Sequence, residues 1–284
     1  MFRITIAMCL MLAAGAARAQ GASDAAHARS AADAAQCQTV TNNPDLAIKH
    51  CTAAIESRKF TGDALARLHT SRGVEWSNKG EADRAIADFD VSLKLTPNNA
   101  VVHHARAIEY SVKGDYARAI VDFDTAIKID PKAEGVHFAR GRTRFYMGEH
   151  ARAAGDIETE FAARPNVYTA LWAYLARKRG GTNDAEVLLE RETRRVRAGW
   201  PSPVVVLYMG STNTESVTIA ASDPNPERQR ELRCDADFFI AHWHLMKNEN
   251  ERAATILRGV QKTCPRNSLE YEGAVAELRR LKQP

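Results

Sequence analysis

The sequence lacks the short motifs that mark most enzymes. It has no phosphate-cradling glycine-rich loop, no His-Glu-x-x-His pair and no Gly-x-Ser-x-Gly elbow. Hydroxyls cluster in MGSTNTES, from Met209 to Ser216, but no organised base lies near them in sequence. A large charge excess is missing too, since 39 Lys and Arg face 35 Asp and Glu over 284 residues. That balance supplies no strong field for nucleic acid. After the first residues, no apolar run is long enough to span a membrane. What is there is 45% hydrophobic and 26% charged, ordinary for a soluble globular chain with one sizeable domain or two small ones. No catalytic, cofactor or metal site is expected.

The one apolar run sits at the start. Arg3 precedes ITIAMCLMLAAGAA, and Ala17-Arg18-Ala19 is a small-x-small cleavage pattern, so residues 1–19 read as a secretory signal peptide cut after Ala19. The cut leaves 37 basic against 35 acidic residues, a net charge of +2. Met8 before Cys9 is not the small residue that a lipid-anchored exporter needs, so no lipid anchor is expected. Residues 20–33 are expected to be flexible.

RAIADFD begins at Arg84 and RAIVDFD at Arg118, thirty-four residues later. The same spacing relates Gly80, Gly114 and Gly148, then Ala85, Ala119 and Ala153, then Pro97, Pro131 and Pro165. Phe89, Phe123 and Ile157 keep a large apolar residue in register, while Gly73, Ala107 and Gly141 keep a small one. A thirty-four-residue unit of helix, turn and helix is the tetratricopeptide period. Each residue type has a reason. Small residues at Gly73 and Ala85 let two helices approach to roughly 8–10 Å. Gly80 accepts a positive φ in the turn, Phe89 fills the space between the helices, and Pro97 ends the second one.

The expected fold is all-α, a tetratricopeptide-type α-solenoid of antiparallel helix hairpins with atypical capping repeats. Three units cover residues 64–165. DLAIKHCTAAI, from Asp45, matches DRAIADFDVSL at a spacing of thirty-eight, which makes 34–60 an atypical capping hairpin. Residues 166–200 form a degenerate pair with Gly180-Gly181 in its turn. WPSPVVVLYMGSTNTES, from Trp200, then breaks the pattern. Residues 201–284 are expected to be helical, with a last hairpin in which Ala253 and Pro265 take the places of Ala85 and Pro97. A capping helix from Leu269 to Leu281 closes the far end.

Beyond Cys9 four cysteines remain, an even number in an exported chain. Cys51 takes the register of Phe89 and faces the first helix of its hairpin, which carries Cys37. Cys234 and Cys264 fall at the same end of the last hairpin. The expected pairing is Cys37–Cys51 and Cys234–Cys264, each bridge worth roughly 3 kcal/mol by chain entropy. Four inert buried thiols are the alternative.

His69, His103 and His137 also recur at thirty-four. Adjacent units stand roughly 10 Å apart and a zinc ligand roughly 2 Å from its metal, so no single ion joins them. They read as packing residues in place of an aromatic. His242 and His244, two apart on a helix, point different ways. Arg72, Arg106 and Arg140 on first helices recur with Asp88, Asp122 and Asp156 on second helices. Either each arginine pairs with the aspartate of its own unit, or all six are independent surface charges worth little.

First helices line the inner face of a stacked array. There the first unit offers Thr70, Val74, Ser77 and Asn78, the second His104, Ile108, Ser111 and Val112, and the third Phe138, Arg142, Phe145 and Tyr146. Aromatics with arginine are the usual anchors of protein interfaces. A protein or peptide partner is therefore expected on the concave face, centred on the third unit. The alternative is that Phe145 and Tyr146 pack against the degenerate pair.

HFARGRTRFYMGEHARAAGDIETEFAARPNVYTALWAYLARKR, from His137, resembles part of the NlpI-like periplasmic tetratricopeptide repeat proteins, as do the later VVVLYMG, FFIAHWHLMKNENERAATIL and EYEGAVAELRRL. The likeness runs from the repeats to the C-terminus, and LWAYLA and LYMG are its most specific segments. It implies an envelope adaptor that forms homodimers and presents cell-wall-degrading enzymes to a periplasmic protease. The family's lipid-attachment cysteine motif is missing, so membrane tethering does not carry over, and the N-terminal hairpin differs. The reading is a non-enzymatic scaffold, periplasmic or secreted, that binds another protein. A carrier of a small ligand or glycan in the groove is the alternative.

Overall fold

The computed structural model describes residues 28–40, 43–194 and 199–282. The expected signal peptide and residues 20–27 lie outside them. Helices and their connections make up the described residues, with no strand among them. The chain divides into two compact units, Met1–Asn98 and Asn99–Pro284.

In the first unit α1 covers residues 28–39, followed by α2 (Pro44–Glu56), α3 (Gly62–Asn78) and α4 (Ala82–Leu95). Residues 28–33, expected to be flexible, are helical. Ser30 is buried and Asp33 Oδ1 lies 2.8 Å from Nδ1 of His50 on α2, which ties this stretch to the capping hairpin. Pro44 and the Asn43 side chain start α2, the latter accepting the Leu46 N–H at 3.1 Å. Cys37 and Cys51 are bridged, with their Cα atoms 4.6 Å apart, and share a small core with Ala54 and Leu68. Helices α3 and α4 meet at Gly73. A Cβ there would lie 2.7 Å from Cε1 of the fully buried Phe89, so only glycine permits the contact.

The second unit holds α5 (Ala100–Lys113), α6 (Tyr116–Ile129), α7 (Val136–Tyr146), α8 (His150–Ala163), α9 (Val167–Arg179) and α10 (Ala185–Thr193). The short α11 (Ser202–Tyr208) and α12 (Thr214–Ala220) follow, then α13 (Pro226–Met246), α14 (Asn250–Thr263) and α15 (Leu269–Leu281). Consecutive pairs α5–α6, α7–α8, α9–α10 and α13–α14 pack as hairpins. Gly114 and Gly148 turn the first two at φ of 82° and 83°, and Asn248 turns the last at 61°. Cys234, in the third turn of α13, and Cys264, at the end of α14, bridge that last pair, Cα to Cα 5.7 Å. These two bridges match the pairing expected from the repeat register.

The core of this unit is aromatic, with Phe145, Trp172, Phe238 and Phe239 at most 1% exposed. Helix α15, expected only as an end cap, is wedged into it. Glu270, Glu272, Gly273, Ala274, Ala276, Glu277 and Leu278 are all buried, which at 100° per residue encloses most of its circumference. Helices α13 and α14 pack against it, and so does α7.

Candidate functional site

Each of the three repeated pairs carries one polar set. His and Arg stand three apart on the first helix, hence on one face, and an aspartate from the second helix reaches both. Asp88 Oδ1 lies 2.7 Å from His69 Nδ1, while Arg72 donates through Nε and Nη2 to the two carboxylate oxygens, both at 2.8 Å. Asp122 has His103 at 2.9 Å and Arg106 at 2.7 and 2.8 Å. Asp156 has Arg140 at 2.9 and 2.6 Å and His137 at 3.8 Å, and Arg144 adds a further bond at 2.7 Å. Arg140 also reaches Asp124 of the preceding pair at 2.6 Å. The arginines thus pair within their own units and are not independent charges.

Burial works against the charge on Asp88, but the bonds from His69 and Arg72 outweigh it and hold the carboxyl below its ordinary value. The repeated histidines face carboxylates. Among the described residues no group of three or more His, Cys, Asp or Glu is placed to hold a metal ion. His242 is fully buried, and Nδ1 of His244 lies 2.7 Å from Glu249.

The face expected to take a partner is not open at its centre. Arg142 and Phe145 are interior, 3% and 1% exposed. Phe145, Tyr146 and Phe138 each stand edge-on to the Trp172 ring, at 5.6, 6.1 and 6.1 Å. Trp172 belongs to α9, so the third unit's aromatics pack on the degenerate pair. Arg142 and Phe145 are therefore corrected from surface anchors to interior residues, while Phe138 and Tyr146 are half-buried against the same core. On α5, His104, Ile108 and Val112 stay half-buried. Burial, and then the Arg142 charge, push the His104 imidazole below its ordinary value, so it is neutral at pH 7.

Helix α15, which bears three buried carboxylates, packs against residues of α5, α7 and α9. Glu272 accepts from Nη2 of Arg142 and from the Ser111 hydroxyl, both at 2.7 Å. Glu277 accepts from Nη1 of Arg179 at 2.5 Å, and Glu270 from the Tyr168 hydroxyl at 2.5 Å. All three carboxylates are at most 7% exposed. Helices α5, α7 and α9 thus each donate to α15. Gly273 lets it seat, since a Cβ there would lie 2.4 Å from Cε2 of Phe238 and 2.5 Å from the Tyr146 hydroxyl.

Charge around α15 follows from burial and arginine. Burial resists the ionisation of Glu277, yet Arg179 and its neighbours prevail and bring the carboxyl down to about 2. Burial, with Arg179 beside it, brings His242 down to about 3, which keeps it neutral. At the other end of α15, burial and the Glu270 carboxylate push Asp235 up to about 7, while the Trp200 indole donates to Asp235 at 2.8 Å. Sequence reasoning missed Glu270, Glu272, Glu277, Arg179, Tyr168 and Asp235. The one available signal is EYEGAVAE, where glutamates flank a run of small apolar residues that belongs in an interior.

No protein-family model matches the sequence, and no curated protein matches it. Solved structures do. A tetratricopeptide repeat protein from Parabacteroides merdae ATCC 43184 is similar over 83% of this chain and 92% of its own, at 17% identity and a TM-score of 0.55. MamA is similar over 56% of this chain and 89% of its own, at 17% identity and a TM-score of 0.48. PilW, a type IV pilus biogenesis factor, is similar over 74% and 98%, at 15% identity and a TM-score of 0.46. The likeness to the Parabacteroides protein is one of fold, an all-α tetratricopeptide-type solenoid of helix pairs.

Proposed function

We propose that the protein is a non-enzymatic binding scaffold working outside the cytoplasm, and that its working surface is the helix-accepting groove of residues 99–284. The observation that carries this reading is α15 itself. First helices α5, α7 and α9 offer serine, arginine and tyrosine donors to a helix laid against them, a helix-in-groove arrangement. His104, Ile108 and Val112, half-buried on α5, continue that surface. Two disulfides suit an oxidising compartment. Among the described residues no helix is long and apolar enough to cross a membrane. The sequence resemblance adds the finer reading of a periplasmic adaptor, homodimeric, linking an envelope protease to cell-wall enzymes.

Site-specific photo-crosslinking in the exported protein tests this. A photoreactive residue at Ile108 or Val112 is expected to give a discrete adduct with another protein. The same residue at Val187, which is 66% exposed on α10, is expected to give none. Adducts only at Val187, or none anywhere in exported protein, would refute the reading.

A further inference from the structure

This inference rests on the scaffold reading and adds the chemistry of the partner. Helix α15 is an incomplete occupant of its groove. Arg142 gives Nη2 to Glu272, but its Nε and Nη1 are buried and find no acceptor. The Trp172 indole N–H and the Tyr146 hydroxyl are likewise buried without a partner. These groups lie together: the Arg142 guanidinium is 5.9 Å from the centre of the Trp172 ring, and the Tyr146 hydroxyl faces Gly273 of α15. Buried donors left unpaired are costly, and costlier when charged. The groove therefore offers more than its resident takes.

We propose that the groove is a receptor for a helix of a partner protein that presents buried carboxylates, and that α15 is its exchangeable resident. The guest's carboxylates take the places of Glu270, Glu272 and Glu277, which sets a pattern of Glu-x-Glu-Gly-x-x-x-Glu. Glycine is required at the position of Gly273, where a Cβ would collide with Phe238. Selection is by charge, because a neutral or basic helix leaves Arg142 and Arg179 unpaired in the interior. A guest with one more acceptor toward Arg142 completes a two-pronged contact that α15 leaves at one prong.

The test uses the full chain and a fluorescent peptide of residues 268–282, read by anisotropy. A second peptide carries glutamine at its three buried glutamates. Wild type holds its own α15 at high effective concentration and binds the first peptide weakly. Glu272→Gln/Glu277→Gln loosens the resident and leaves the receptor side chains intact. It is expected to bind the glutamate peptide roughly tenfold more tightly than wild type does, and to reject the glutamine peptide by roughly tenfold. The glutamate peptide is also expected to raise its unfolding temperature.

Equal binding by wild type and variant, or equal binding of the two peptides, overturns the proposal. Hydrogen exchange on wild type covers the case of a variant that does not fold. There α15 amides are expected to exchange faster than those of α13 and α14, and equal protection counts as refutation. If peptide exchange fails while crosslinks form at Ile108 and Val112, this inference falls and the scaffold reading stands.

Discussion

Replacing Gly273 by alanine sets two effects against each other. On an exposed helix the change stabilises, because alanine exceeds glycine in helix propensity by about 1 kcal/mol. At Gly273 the new Cβ would stand 2.4 and 2.8 Å from two carbons of the Phe238 ring and 2.5 Å from the Tyr146 hydroxyl. Phe238 has no room to retreat. It is fully buried, with the Trp172 ring centre at 5.5 Å and the His242 ring centre at 4.5 Å. The closest contact falls roughly 1 Å short of a comfortable carbon–carbon distance, so α15 must lift and stretch the Arg142–Glu272 bond.

Overpacking of this kind costs roughly 1–3 kcal/mol. With Phe238 held on both sides the upper part of that range, roughly 2–3 kcal/mol, applies, and the helix gain offsets about 1 kcal/mol of it. A net loss of roughly 1–2 kcal/mol remains, seen as a fall in Tm of about 2–4 °C for each kcal/mol in a chain of this size. Gly155→Ala on α8 is the control, because no atom lies within 4 Å of its added Cβ and the propensity gain is unopposed. Circular dichroism follows both variants on heating. If Gly273→Ala melts at or above wild type while Gly155→Ala rises, the seating of α15 against Phe238 is wrong.

Arg106→Leu leaves Asp122, 4% exposed, with His103 alone, and is expected to lower stability to urea by roughly 3 kcal/mol. An unchanged midpoint would show that the lock contributes nothing. The bridges Cys37–Cys51 and Cys234–Cys264 close sequence separations of 14 and 30 residues, for which chain entropy assigns about 3 and about 3.6 kcal/mol. Single-bridge variants are expected to lose stability in that order, and alkylation of the oxidised protein to label none of the four cysteines. Asp235 stays protonated in the folded chain up to about 7, whereas its ordinary value is 3.8. Folding therefore takes up a proton between those values, and stability declines as pH rises through that window. His242 and Glu277, both held low, act in the opposite sense and weaken the fold as pH falls below their ordinary values of 6.5 and 4.5. The gain in Tm from Asp235→Asn over wild type is thus expected to widen from pH 5 to pH 8, and a constant gap contradicts the assignment.

What could be read from the sequence was local. Arg72, Arg106 and Arg140 find their aspartates because each partner lies sixteen residues away within the same unit. The cysteine pairs share a hairpin, and Gly114 and Gly148 announce turns because no side chain tolerates their φ cheaply. What stayed hidden is long-range. Glu272 meets Arg142 across 130 residues and Ser111 across 161, and no period records which helix will cover a face. Arg142 and Phe145 therefore read as a surface when they are an interior. Residues 28–33 carry no repeat register, so their helix was equally invisible.

The grip of α15 has a bearing on how this array can evolve. A His–Arg–Asp lock closes within one helix pair, so a thirty-four-residue duplication copies a finished part and, on that count alone, pairs could be spliced in or dropped freely. But one short helix holds Ser111, Arg142, Tyr168 and Arg179 at once, and those side chains come from three successive pairs. An extra pair inserted among them would carry at least one donor out of reach. Helix α15 thus acts as a ruler, and it fixes the number of pairs that can stand between Ser111 and Arg179.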